Sequence, residues 1–193
     1  ELVRVDSATE AELVKLLENT FRSVNIALIN EMATIAHELD VDIWKIIDAA
    51  ATKPFGFMPF YPGPGLGGHC IPVDPQYLSW KADQHGVATR FIDLADRINR
   101  SMPEHVLDRV VTLLNDGGTA VPDSNVLLLG VAYKPGVTDT RESPALDIIS
   151  LLEDRGASVS YHDPHVPTVG IGEQLYESQP LSPERLAEQD CVV

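Results

Sequence analysis

The chain has 193 residues, 44% hydrophobic and 22% charged, enough to build one large or two small domains around a real core. Its 29 acidic residues outnumber its 14 basic ones for a net charge of −15, which argues against a nucleic-acid grip or an anionic-membrane anchor. No apolar run reaches the ~18–20 residues of a membrane span, residues 1–10 are charged with no apolar signal core, and Cys70 and Cys191 make no disulfide framework, so a reducing cytoplasm is the simplest compartment. Glu1 in place of an initiator Met points to a piece of a longer chain.

The first predicted element is a long helix from Asp6 to Leu39. Ser7 and Glu10 have capping-box spacing, and Leu13, Leu17, Phe21, Val24, Leu28, Met32, Ile35 and Leu39 recur every three or four residues as one apolar stripe. Some 33 residues at ~1.5 Å each give roughly 50 Å, a length suited to a spine or a dimer contact. A short helix follows over 42–51, with Ile43, Ile46 and Ile47 facing inward. From Lys53 to Pro75 the density of Pro and Gly rules out regular structure, yet Phe55, Phe57, Met58, Phe60 and Tyr61 make the segment too apolar for a mere linker. Helix returns over 75–85 and 90–115, where Pro103 kinks or splits the run, and Asp116-Gly-Gly118 ends it.

Past a linker at 122–125 the pattern changes. Residues 126–131 form a continuous apolar run, as in a strand buried on both faces; 143–155 is helical; 157–161 and 190–193 read as further strands. Strand, helix, strand with a long crossover is the opening of a doubly wound α/β domain.

Chemistry concentrates in Pro62-Gly-Pro-Gly-Leu-Gly-Gly-His-Cys70-Ile-Pro-Val-Asp74-Pro75. Glycines allow close backbone approach to a ligand and prolines set the shape in advance. Cys70, four residues before Asp74, is a candidate nucleophile with a neighbouring carboxylate; equally it reads as a buried Cys serving as a small apolar residue. Gly63, Gly65 and Gly68 match G-x-G-x-x-G, but prolines precede them and His69-Cys70-Ile71-Pro72 follows, so the strand and helix that the dinucleotide fingerprint requires are missing. Lys15 and Asn19 share one face of the long helix, where they would stabilise an oxyanion or simply line a solvated face; spacing alone favours the latter. Lys134 and Arg141 fall beyond the carboxyl end of the 126–131 strand, where ligands of open α/β sheets bind and two cations suit a phosphate. His162 and His165 lack a third ligand, so no metal site is expected, and the Asn99-Arg-Ser101 sequon falls in a predicted helix. A cysteine hydrolase using His69 or another His as base would leave Lys134 and Arg141 without a role.

Taken together, Lys15-Leu-Leu-Glu-Asn19 through Asn30-Glu31, Pro62 to Pro75, and Gly130-Val-Ala-Tyr-Lys134-Pro through Thr140-Arg141-Glu-Ser-Pro144 resemble the UDP-glucose/GDP-mannose dehydrogenase family in order and approximate spacing. The form around Phe57 to Cys70 is similar to the branch acting on UDP-N-acetylhexosamines such as UDP-GlcNAc and UDP-ManNAc, and Val73 stands where the glucose branch usually carries Lys.

The resemblance implies an α/β protein overall. An all-helical central dimerisation domain (1–120) precedes a truncated, Rossmann-like UDP-binding domain (121–193), and the N-terminal NAD-binding domain is absent. It implies NAD as cofactor, a UDP-sugar as substrate and a homodimer through helix 7–39, and it turns Lys15 and Asn19 into oxyanion stabilisers at C6. Cys70 would form a thiohemiacetal and then a thioester, and either Lys15 or an ordered water held by Asp74 would take protons. Phe60, Tyr61, Gly63, Gly65 and Gly67 would cradle the sugar, Tyr133 and Lys134 would meet substrate from the second domain, and Cys70 and Arg141 would face the cofactor. Two readings stand beside it: a UDP-glucose 6-dehydrogenase, or, for this piece alone, a non-catalytic UDP-sugar-binding or dimerisation module.

Overall fold

The structure, a computed structural model, describes residues 2–193. It divides into two compact units, one running to Gly63 and resuming over Cys70–Arg100, the other formed by Pro64–His69 with Ser101–Val193. The whole is an α/β chain, and no described helix is long and apolar enough to cross a membrane.

The first unit is helical. Helix α1 spans Ala8–Glu38. Ser7 caps it by accepting the Glu10 N–H at 3.2 Å, while the Glu10 carboxylate reaches back to the Asp6 N–H at 2.8 Å, one residue before the usual capping-box partner. Its apolar stripe is not buried within the chain: Leu13, Leu17, Phe21, Leu28, Met32, Ile35 and Leu39 are all exposed. The buried residues are instead Asn19, Ser23, Ala27, Ile29, Asn30 and Ala36, small or polar apart from Ile29. Helix α2 (Ile43–Ala51) is capped by Asp42 and buries Ile47, whereas Ile46 is exposed, contrary to the expected inward set. The Pro- and Gly-rich stretch is irregular throughout, as expected, and α3 (Asp74–Asp83) begins with Pro75 in its first turn.

Helix α4 (Arg90–Asp116) starts in the first unit and ends in the second. It is one continuous helix, so Pro103 does not split it; the ring removes only the N–H that would have bonded the Asn99 carbonyl. A Schellman motif closes it, with Thr119 N–H on the Leu114 carbonyl at 2.9 Å, Gly118 N–H on Asn115 at 3.0 Å, and Gly118 at φ +79°.

The second unit is built on a parallel sheet. After a 3₁₀ turn (Val121–Asp123), strand β1 (Asn125–Leu129) pairs with β2 (Ser158–His162) on one side and with β5 (Cys191–Val192) on the other. Strand β1 stops two residues short of the apolar run because Gly130 takes φ +96° and turns the chain. Helix α5 (Pro144–Asp154) is the crossover between β1 and β2. Leu107, Val110 and Leu114 from α4 and Ile148, Ile149 and Leu152 from α5 pack with Val126, Leu128 and Tyr161 of the sheet into one core.

Two elements carry no periodic mark in the sequence. A hairpin of β3 (Thr168–Ile171) and β4 (Gln174–Glu177) turns at Gly172, φ +58°, as a two-residue II′ turn does. A five-residue helix, α6 (Pro183–Ala187), is capped by Ser182.

Candidate active site

In the first unit, a chain of buried amides fixes the entry to the Gly- and Pro-rich loop. Asn30 and Asn99 are almost wholly buried. Asn99 Nδ2 donates to the Ser23 carbonyl at 3.1 Å, Asn30 Nδ2 donates to Asn99 Oδ1 at 3.1 Å, and Asn30 Oδ1 accepts the Gly63 N–H at 2.9 Å. Polar groups this deep are retained only when paired, and here they tie α1, α4 and the loop together. The Asn99 sequon is therefore closed to modification. Next along the loop, Phe60 packs edge-on against Phe21 at 5.7 Å and Tyr61 stacks on Trp44 at 5.6 Å, leaving the Tyr61 ring half exposed.

Cys70 carries a free, exposed thiol, which removes the reading of it as a buried apolar filler. Its carbonyl accepts the Val73 and Asp74 N–H groups at 3.2 and 2.8 Å, forming the turn that leads into α3. Asp74 occupies the first turn of that helix, where the dipole favours a carboxylate. Asn19, 1% exposed, donates from Nδ2 to Asp74 Oδ2 at 2.5 Å across 55 residues of sequence. Asn19 is thus no part of a solvated face. Lys15, one turn earlier, remains on the outside, largely exposed and 3.6 Å from Glu18.

In the second unit, strand order reverses around β1, with β2 and β5 on opposite sides, so the carboxyl end of β1 is a topological switch point. A cavity of about 630 Å³ opens there. Gly65, Gly67, Tyr133, Lys134, His162 and Ser143 are among the residues that line it. Lys134 Nζ lies 5.3 Å over the Tyr133 ring and makes no ion pair among the described residues. Arg141 does not line the cavity; its guanidinium is held by Asp139, so Lys134 and Arg141 do not form the expected two-cation phosphate site. That ion pair holds the Asp139 carboxyl far below its ordinary range and raises Arg141.

Asp163, which spacing did not single out, holds the end of the sheet. Oδ2 accepts the Val131 and Ala132 N–H groups at 3.0 and 3.3 Å, and Oδ1 accepts those of His165 and Val166 at 2.8 and 3.2 Å. Burial opposes its ionisation, but the four N–H groups outweigh burial and lower its pKa. The Asp163-Pro164 pair after a strand, a common Asx-turn signal, is the one sequence cue to it. Asn30, Asn99 and Asp139 carry no comparable cue. His162 Nδ1 is 2.7 Å from the Gln179 carbonyl, and among the described residues no three His, Cys, Asp or Glu side chains converge as a metal would require. The glycines of the G-x-G-x-x-G match lie in irregular backbone with no strand before them, and α3 begins only at Asp74.

Comparison with known proteins accounts for this combination. Residues 9–101 match the central domain of the UDP-glucose/GDP-mannose dehydrogenase family, and residues 127–193 match its UDP binding domain. A UDP-N-acetyl-D-mannosamine dehydrogenase of Methanococcus maripaludis is 39% identical over 100% of this chain and 42% of its own length. A UDP-N-acetyl-D-glucosamine 6-dehydrogenase of Salmonella typhi is 33% identical over 98% of this chain and 44% of its own. Among solved structures, a UDP-D-ManNAc dehydrogenase of Pyrococcus horikoshii superposes with a TM-score of 0.77 at 39% identity, covering 83% of this chain and 37% of that one. The chain thus spans less than half the length of the relatives it matches. With two domains of the same family matched in order over most of its residues, the chain belongs to the UDP-glucose/GDP-mannose dehydrogenase family.

Proposed function

We propose that the protein containing this chain oxidises the C6 alcohol of a UDP-N-acetylhexosamine to the carboxylate, a four-electron reaction that uses NAD as cofactor. The observation that carries the reading is the exposed Cys70 thiol one helical turn before Asp74, whose carboxylate is held by the buried Asn19 amide. The N-acetylhexosamine class rests on the relatives named for it and on Val73 in place of Lys. UDP-glucose is the alternative within the same chemistry.

The residues divide the work as follows. Lys15 and Asn19 stabilise negative charge on the C6 oxygen. Asp74, kept in place by Asn19, orients a water for proton transfer. Cys70 Sγ adds to the C6 aldehyde, forming a C–S bond; the thiohemiacetal oxygen takes a proton, and its oxidation leaves a thioester that water cleaves to acid and free thiol. Covalent capture keeps the aldehyde from escaping between the two oxidations. Phe60, Tyr61, Gly63, Gly65 and Gly67 shape the sugar site; since the Gly63 N–H is engaged by Asn30, that residue serves through backbone shape rather than as a donor. Tyr133 and Lys134 contact the UDP portion in the cavity at the end of β1. NAD⁺, when bound, supplies the hydride acceptor. Of the described residues Arg141 fits it: two of its N–H groups are committed to Asp139, and the rest of an exposed guanidinium is free for a phosphate.

A homodimer through α1 fits the exposed stripe of Leu13, Leu17, Phe21, Leu28, Met32 and Ile35. Two free cysteines fit a cytoplasmic setting.

The test is stoichiometric. The full-length protein is given NAD⁺ with each UDP-hexose in turn, and NADH is counted per sugar consumed. Two NADH per UDP-N-acetylhexosamine is the expected result. One NADH removes the thioester route, and none with any UDP-sugar leaves a binding or dimerisation module as the better reading.

A further inference from the structure

The loop between β1 and α5 folds back on itself around Asp139. Arg141 donates Nε to Oδ1 at 2.9 Å and Nη2 to Oδ2 at 2.8 Å, and its backbone N–H adds a third bond to Oδ1 at 3.1 Å. The Asp139 carbonyl accepts the Tyr133 N–H at 3.1 Å, and His69 Nδ1 lies 3.9 Å from Oδ2. The Arg141 carbonyl in turn accepts the Gly68 N–H at 3.1 Å.

The glycines are seated closely on this loop. A Cβ at Gly67 would come within 2.7 Å of both the Glu142 carbonyl oxygen and Tyr133 Cβ, and one at Gly68 within 2.9 Å of the Tyr133 ring. No side chain fits at those distances. Glu142, beside Arg141, is held at φ +53°, a conformation that residues with a Cβ rarely adopt and that persists only where the surroundings over-determine it. The Asp139 carboxylate reaches Arg141 at its side chain and its backbone together.

We infer that Asp139 is a positioning residue: its carboxylate orients the Arg141 guanidinium and, by fixing the Arg141 backbone whose carbonyl accepts the Gly68 N–H, holds the Gly67–His69 backbone in register with it. The part concerning turnover rests on the cofactor contact proposed above for Arg141; the seat for the glycines does not.

Asp139→Asn, which keeps size and loses charge, and Asp139→Ala are made in the full-length protein. Amide hydrogen exchange reads the seat and steady-state kinetics read the guanidinium. Exchange at residues 67–69 is expected to rise about tenfold while β1 stays protected, since a charge-assisted fork is lost but the core is not. The KM for NAD⁺ is expected to rise about tenfold, and Asp139→Ala added to Arg141→Ala to raise it no further. Unchanged exchange at 67–69 overturns the inference. Faster exchange with unchanged KM and kcat overturns the positioning role and leaves a scaffold contact. If the wild-type protein itself shows no NAD⁺-dependent turnover, the proposed function falls, and the exchange arm alone decides the seat.

Discussion

Asn19 and Asp74 meet at 2.5 Å although 55 residues separate them, joining the middle of α1 to the first turn of α3. Asn19 is buried and its amide has this carboxylate as partner, so the bond both stabilises the first unit and sets the carboxylate that follows Cys70. Asn19→Ala is expected to lower stability by about 1–3 kcal/mol, the usual cost of stranding a buried polar partner, measured by urea denaturation. Asn19→Asp should be worse at neutral pH. Two carboxylates at this distance repel when both are charged, so the variant regains stability in acid, where a shared proton relieves the repulsion, and loses it as pH rises. A variant whose stability does not depend on pH in that range would show that the two side chains do not touch.

Cys70 and Lys15 separate the steps of the proposed reaction. Cys70→Ser should abolish net acid formation while leaving UDP-sugar binding near normal, because an exposed thiol with no structural partner is replaced by an isostere. Wild-type turnover in that variant removes the covalent mechanism. Lys15→Ala should lower kcat by about 10²-fold if the ammonium stabilises charge at C6. A change confined to KM makes Lys15 a plain binding residue. Its pairing with Glu18 is not the reason for any loss: a surface pair at 3.6 Å is worth under about 1 kcal/mol, and Glu18→Gln serves as the control.

The long helices, the buried strand β1 and the irregular loop are legible in the sequence because their signals are local: a 3.6-residue period, an apolar run, a density of Pro and Gly. The hairpin at 168–177 and the α6 turn are not, since four- and five-residue elements offer too few positions for a period to show. The α1 helix shows a deeper limit. Its apolar stripe is plain, but periodicity reports which face is greasy, not what covers it, and within this chain the covered residues are Asn19, Ser23, Ala27, Ile29, Asn30 and Ala36, none of them in that stripe. The site was legible as residue types in the loop. In the first unit the pairings of Asn19 with Asp74 and Asn30 with Gly63 are long-range, and spacing carries no trace of them; in the second the Asp139–Arg141 pair is local, but an Asp two residues before an Arg does not by itself announce a bidentate bond.

Asp163 makes the second unit sensitive to acid. Its folded pKa lies below the unfolded value of about 3.9, so its contribution is complete above that pH and is lost as pH falls through the lower folded pKa. Asp163→Asn should remove this dependence and lower stability even at pH 7, because an amide offers one acceptor oxygen where four N–H groups now converge on two. The loss is expected to be about 2 kcal/mol or more, read by denaturation at pH 7 and pH 3. Equal pH slopes for both proteins would rule out the carboxylate as the cause.

The exposed stripe of α1 gives the last prediction. Leu17 and Leu28 are 67% and 52% exposed on a helix whose opposite face is already packed, so within one chain neither supports the fold. Charge placed there should cost the monomer less than about 0.5 kcal/mol. In an interface it is different: an unpaired carboxylate buried against a second copy is penalised by several kcal/mol. Leu17→Glu with Leu28→Glu is therefore expected to yield a folded monomer, seen by sedimentation equilibrium, with its helical circular dichroism unchanged. Phe21 separates the two roles, because it belongs to the stripe and also packs on Phe60 at 5.7 Å, so Phe21→Glu should disturb both assembly and the loop. If the double Leu variant sediments as the wild type does, α1 is not the contact between copies.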